Sequence, residues 1–165
     1  MASQWHSLVS QKLFLARTLL RQADGDTNAE ADSFRALQRE AAIQGAIELS
    51  LRARTLLLVM IARLYQQKNE EPESLTVLSA LLGTELPEVA ELLTLAHQPG
   101  SWWNLLDQLE TSQSTPPAAR KTVSAENIIA ISAESGPDRS TPALNTLLDA
   151  LKQFADTLED RHSEW

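Results

Sequence analysis

The sequence predicts an all-α fold, and three observations carry that reading. Five or more stretches repeat apolar residues at three- and four-residue intervals. No stretch alternates apolar and polar residues as a half-buried strand does. Proline falls between the periodic stretches or opens them. The expected architecture is an elongated up-down helical bundle built on one long central helix, with several short helices packed on it, as one domain over residues 1–165.

The first helix is expected over about 3–23, where Trp5, Leu8, Val9, Leu13, Ala16, Leu19 and Leu20 share one face and Asp24-Gly25 supplies a turn. The second is expected over about 28–68, a stretch without proline. One of its stripes runs from Phe34 and Leu37 through Leu57 and Met60, and another holds Ile43, Ile47, Leu51, Leu58, Ile61 and Tyr65. A helix apolar on two faces is surrounded by partners, which makes this one central. At 1.5 Å per residue it would reach about 57 Å, more than the roughly 40 Å of a compact sphere of this size. Either the bundle is elongated, the reading adopted here, or the helix bends at Gly45.

Three short helices follow over about 74–82, 87–97 and 101–111, opened by Ser74, Pro87 and Ser101. Pieces of that length are unstable alone and must pack on the long helix. Residues 112–125 are polar, hold Pro116-Pro117 and read as a loop. Ile128 to Ile131 is a small apolar island expected to plug the bundle. The last helix, about 142–161, carries Leu144, Leu147, Leu148, Leu151, Phe154, Ala155 and Leu158 as one stripe.

Composition excludes several functions. The chain has 165 residues, with 14 Lys and Arg against 22 Asp and Glu, for a net charge of −8. That balance makes nucleic acid an unfavourable partner, because phosphates must be neutralised by cations. There is no cysteine, hence no disulfide, thiolate metal site or cysteine nucleophile. The longest apolar run, Leu56 to Ala62, is far short of the about 20 residues that span a bilayer, so no membrane association and a cytoplasmic location are expected.

Two segments resemble metal sites and fail on ligand chemistry. Asp24, Asp26 and Asn28 copy the opening of a calcium loop, but Ala29 and Arg35 occupy the places that need Gly and a bidentate Glu. Glu159-Asp160-Arg161-His162 is a single Glu-x-x-His, where a di-iron bundle needs two such motifs and two further Glu. No nucleophile elbow or phosphate loop is present. No catalytic residue, metal or cofactor is therefore expected.

Two groups of residues are candidates for binding. Trp102 and Trp103 are adjacent and point about 100° apart on a helix, so one belongs to the core and the other lies near solvent. With Trp5 they form the expected partner contact, since indoles are enriched at interfaces. Arg35, Arg39, Arg52 and Arg54 on the long helix would form an anion groove if they converge, because guanidinium forks suit phosphates and carboxylates.

Gln11-Lys12-Leu13-Phe14-Leu15-Ala16, Gln38-Arg39-Glu40-Ala41-Ala42 and Glu164-Trp165 resemble the corresponding stretches of a family of small all-helical gammaproteobacterial proteins of unknown function. The resemblance implies a bacterial cytoplasmic protein and adds no site residue. The expected function is a non-enzymatic protein–protein interaction or regulatory module, with an unknown protein or a second copy, as a homodimer, for partner. The alternative is a HEPN-like or other bundle that binds a nucleotide or anionic ligand through the arginines. The HEPN spacing of Arg before His is absent at His6, His97 and His162.

Overall fold

The computed structural model describes residues 3–25, 32–116 and 136–163. They form six helices and, among the described residues, no strand: α1 (Gln4–Asp24), α2 (Ser33–Leu64), α3 (Leu75–Leu82), α4 (Pro87–His97), α5 (Trp102–Ser114) and α6 (Thr141–Ser163). The all-α bundle on one long helix is as the periodicity predicts. No helix among the described residues is long and apolar enough to cross a membrane.

Local chemistry sets the helix ends. The side chains of Ser3, Asp32, Ser74 and Ser101 accept hydrogen bonds from the first-turn amides of His6, Phe34, Val77 and Asn104, satisfying donors that have no partner within the helix. Pro87 opens α4, where its missing N–H costs nothing. Gly83 and Gly100, with φ of 86° and 80°, supply the left-handed turns that separate α3 from α4 and α4 from α5.

The structure corrects three expected boundaries. The long helix starts at Ser33 rather than near residue 28, because Asp32 is its extended N-cap; residues 28–31 lie outside the described ones. It ends at Leu64 rather than 68. There Gln66 turns left-handed at φ 63°, and the Arg63 guanidinium donates to the carbonyls of Gln67 and Glu70. α5 continues to Ser114, so residues 112–114 of the expected loop are helical, and Gln113 donates to Glu48 of α2 at 2.6 Å. The rest of that loop from residue 117 on, and the Ile128–Ile131 island, lie outside the described residues.

Pairwise contacts give the directions of the helices. Leu19 lies against Gly45, and Arg63 covers the Trp5 ring at 5.3 Å, so α1 and α2 are antiparallel. Thr141 donates to Asp24 at 2.6 Å, Arg17 to Asp149 at 2.7 Å and the Ser3 amide to Glu159 at 2.5 Å, so α6 is antiparallel to α1. Arg54 meets Asp107 and Glu110 while Glu48 meets Gln113, which sets α5 antiparallel to α2. α1, α2, α5 and α6 thus alternate in direction, and α3 and α4 form a short pair inserted between α2 and α5.

All six helices contribute to one buried apolar cluster. Leu57 to Ala62 of α2 are buried at six consecutive positions, more than a full turn. That end of α2 is enclosed on every side. At its other end residues 32–38 are all exposed. Between them α2 runs unbroken through Gly45 and rises about 48 Å over its 32 residues.

Gly45 has a packing role. A Cβ built on it would lie 2.9 Å from Leu19 Cδ1, the movable end of a half-buried side chain. Alanine regains up to about 1 kcal/mol of helix propensity over glycine. Gly45→Ala is expected to be neutral or to stabilise the protein by up to that amount, whereas Gly45→Leu should destabilise it by about 1–3 kcal/mol through overpacking. Denaturant unfolding of both variants checks this.

Candidate functional site

The enclosed end of α2 brings together the groups with the most perturbed chemistry. Glu88, in the first turn of α4, is 3 % exposed. The Tyr65 hydroxyl donates to its Oε2 at 2.6 Å, while His162 Nε2 and the Arg161 guanidinium lie 3.4 and 3.9 Å from its Oε1. The His162 and Tyr65 rings meet edge to face, with centroids 5.6 Å apart. A buried carboxylate needs such partners, because desolvating an unpaired charge is costly. The cluster ties the end of α2, the start of α4 and the end of α6 at one point.

The electrostatics follow from those contacts. Burial pushes the Glu88 carboxyl up, but hydrogen bonds from Tyr65, its own backbone and His162, with the His162 charge, hold it below the usual carboxylate range. Burial, the hydrogen bond to Glu88 and the negative charge of Glu88 push the Tyr65 phenol up to about 12. A phenol so disposed keeps its proton and serves neither as base nor as nucleophile near neutrality. The cluster is a latch built from a carboxylate and its donors.

Beside the latch opens a cleft of about 320 Å³ between α4, α5 and α6. Trp102, Phe154, Leu158 and Leu95 supply its apolar lining, and Glu91 and Arg161 its charges. Trp102 is half-buried, packs on Phe154 at a centroid distance of 5.7 Å and meets Trp103 edge to face at 5.5 Å. Trp103 is 4 % exposed and belongs to the core, as one of the two diverging indoles must. The three tryptophans proposed as a partner contact therefore separate. Trp102 lines the cleft, Trp103 is enclosed and has no surface for a partner, and Trp5 lies under Arg63 on α2.

The structure does not gather the four arginines into a groove. Arg35 and Arg54 are 19 positions apart, about 28 Å along α2. Arg52 and Arg54 point about 160° apart around it. Arg54 is buried with its guanidinium 5.1 Å from the Trp103 ring centroid, and it donates to Asp107 at 2.5 Å and to Glu110. Two carboxylates already neutralise it. Arg35 pairs with Asp32 at 3.9 Å, and Arg39 stands beside Glu40, which Arg139 engages at 2.6 Å. The Glu-x-x-His motif is likewise divided: Glu159 accepts from the Ser3 amide, and His162 turns to Glu88. Among the described residues no three His, Asp or Glu side chains converge as metal ligands.

Sequence reasoning missed the Glu88 latch. Tyr65 fitted an apolar stripe and Glu88 fitted a helix start, and only the fold makes them neighbours. It also missed a segregation of charge that the sequence does carry. From Gln4 to Leu64, the two helices and the segment that joins them hold eight Lys and Arg against six Asp and Glu, whereas the rest of the chain holds six against sixteen. A net charge taken over the whole chain hides that asymmetry; counting by element reveals it.

Fold and site together define an up-down helical bundle with a cleft lined by Trp102 at its closed end. The chain belongs to a family of unknown function (DUF6586), whose description matches residues 1–165. No curated protein and no solved structure matches it.

The latch makes a spectroscopic prediction. Tyr65 is the chain's one tyrosine, so an ultraviolet titration of the phenol reads it alone. Its midpoint should lie near 12 rather than near the ordinary value of about 10, and Glu88→Gln should bring it back toward 10. The signs of the two linkages differ. The stability due to Tyr65 is complete below pH about 10 and is lost as pH rises through its raised value. That due to Glu88 is complete above pH about 4.3 and is lost as pH falls through its depressed value. A wild-type phenol midpoint near 10 would refute the pairing.

Proposed function

We propose that this protein is a non-enzymatic interaction module, and that the cleft between α4, α5 and α6 is where it receives a protein partner. The observation that carries the reading is Trp102: a large indole, half-buried on Phe154, forming the wall of an open cleft. Binding energy at interfaces concentrates in such aromatic anchors, set in pockets that exclude water. The cleft's apolar lining suits an aliphatic or aromatic side chain from the partner. Glu91 and Arg161, of opposite sign, would orient the polar groups beside it. The reading includes a cytoplasmic location. It uses no cofactor and no arginine groove, and Arg54, occupied by Asp107 and Glu110, lends the anion-binding alternative no support.

The paired indoles test the proposal. Trp102→Ala should weaken association by about 2 kcal/mol or more, roughly 30-fold, with the helical spectrum unchanged. Association is read by affinity capture from the native host, and by sedimentation for a second copy. Trp103→Ala should instead cost about 3–5 kcal/mol of unfolding free energy, since it opens the core. If Trp102→Ala destabilises the fold and leaves every association unchanged, Trp102 is a packing residue and the cleft is not the partner site.

A further inference from the structure

A second groove, of about 350 Å³, opens among α2, α3, α4 and α5, on the face of α5 that carries Trp103 rather than Trp102. It is amphipathic. Leu58, Leu75 and Trp103, all buried, form its floor, and the half-buried Leu93 and Ala96 of α4 form a wall. Glu73, at the start of α3, and Asp107 and Glu110, on α5, stand at its rim.

Three carboxylates there face one cation. Arg54 donates to Asp107 and Glu110, and both acids remain about half exposed, at 48 % and 55 %. Among the described residues Glu73 has no ion-pair partner. His97, the remaining ionisable group on the groove, turns its Nδ1 to the Leu93 carbonyl at 2.8 Å. Neighbouring elements do not cancel the excess. Arg63 is committed to Glu71 and to the carbonyls of Gln67 and Glu70, and Arg52 points about 160° away from Arg54 around α2. Residues 65–116 hold one Lys and no Arg against eight Asp and Glu.

We infer that this groove receives an arginine or lysine side chain from a basic segment of a protein partner. The aliphatic stem would lie on Leu75, Leu93 and Ala96 while the charged head stays at the rim beside Glu73, Asp107 and Glu110. Arg54 shows the fit within the molecule, since its guanidinium already lies on the Trp103 ring and between two carboxylates. The rim acids keep much of their hydration, so a partner's cation meets them without the full cost of desolvation. The acidic stretch extends the negative field well beyond the groove, which suits a segment bearing several cations better than a free polyamine. This inference is independent of the Trp102 cleft.

Fluorescence anisotropy of the full chain with a labelled decapeptide of alternating arginine and alanine tests it. The same peptide with citrulline for arginine, and spermidine as a competitor, are its comparisons. The arginine peptide should bind saturably, more weakly as salt is raised, and the citrulline peptide should not bind. Glu73→Gln should weaken binding about three-fold, and Thr76→Arg, which seats a cation in the groove, about ten-fold. Matching charge changes outside the groove, Glu85→Gln and Thr94→Arg, should alter it by less than about two-fold. All four positions are exposed, so thermal unfolding should be unchanged, and Trp102→Ala should bind the peptide as the wild type does. Absence of saturable binding overturns the inference. So does equal weakening by the groove variants and their controls, which would mark a general field rather than a site. Spermidine that binds more tightly than the peptide, and loses affinity in Glu73→Gln, would make a free polyamine the occupant. Self-association lost in Glu73→Gln, read by sedimentation, would make it a second copy, and either result overturns the inference as well.

Discussion

Enclosure of the C-terminal half of α2 is the constraint on which the rest of the structure depends. Six consecutive buried residues, Leu57 to Ala62, cannot be covered by one neighbour, because they point all around the helix. α1, α3, α5 and α6 pack on it and α4 packs on α3 and α5, all contributing to the same core. The short helices exist to complete that cover. Each is too brief to persist alone, and each contributes two or three buried apolar residues, such as Leu78 of α3, Leu92 of α4 and Leu106 of α5. The N-terminal half of α2 makes no such demand, and residues 32–38 are all exposed.

Polar groups drawn into that cover fix how the helices meet. Arg54 enters the interface of α2 with α5 and is satisfied by Asp107 and Glu110, one turn apart on α5, while its stem and guanidinium lie on Trp103. Shifting α5 by one residue would turn both carboxylates away. Glu88 does the same for α4 and α6 through Tyr65, His162 and Arg161. Such pairs return little net stability, because desolvation offsets the Coulomb attraction. Their contribution is to register: apolar surfaces slide over one another at low cost, and a buried ion pair does not.

The fold was legible in the sequence because it depends on period and punctuation. Ser74, Pro87, Ser101 and the long Leu144–Leu158 stripe announce helices whatever lies around them, and a divergent pair such as Trp102 and Trp103 follows from helix geometry alone. What depends on tertiary partners was not legible. Arg54 looked like an anion ligand because nothing in the order of residues says that Asp107 and Glu110 fold onto it. Tyr65 and Glu88 are separated by 23 positions and His162 lies 74 farther on, so the latch has no local signature. Helix ends failed where a distant or unusual group decides them, as with Arg63 at the end of α2. The uneven distribution of acids is a different case. Its charges were visible, and only summation over the whole chain concealed them.

Packing also bears on how the α1–α2 hairpin and the cleft relate. The cleft belongs to α4, α5 and α6, on the acidic part of the chain, and the exposed Phe14, Leu15, Phe34 and Leu37 belong to the α1–α2 hairpin. Because α1 and α6 are neighbours, the two surfaces are joined by rigid packing rather than by a linker. An ion pair from Arg17 to Asp149 and a hydrogen bond between His6 and Asp156 cross that junction and hold the hairpin to α6.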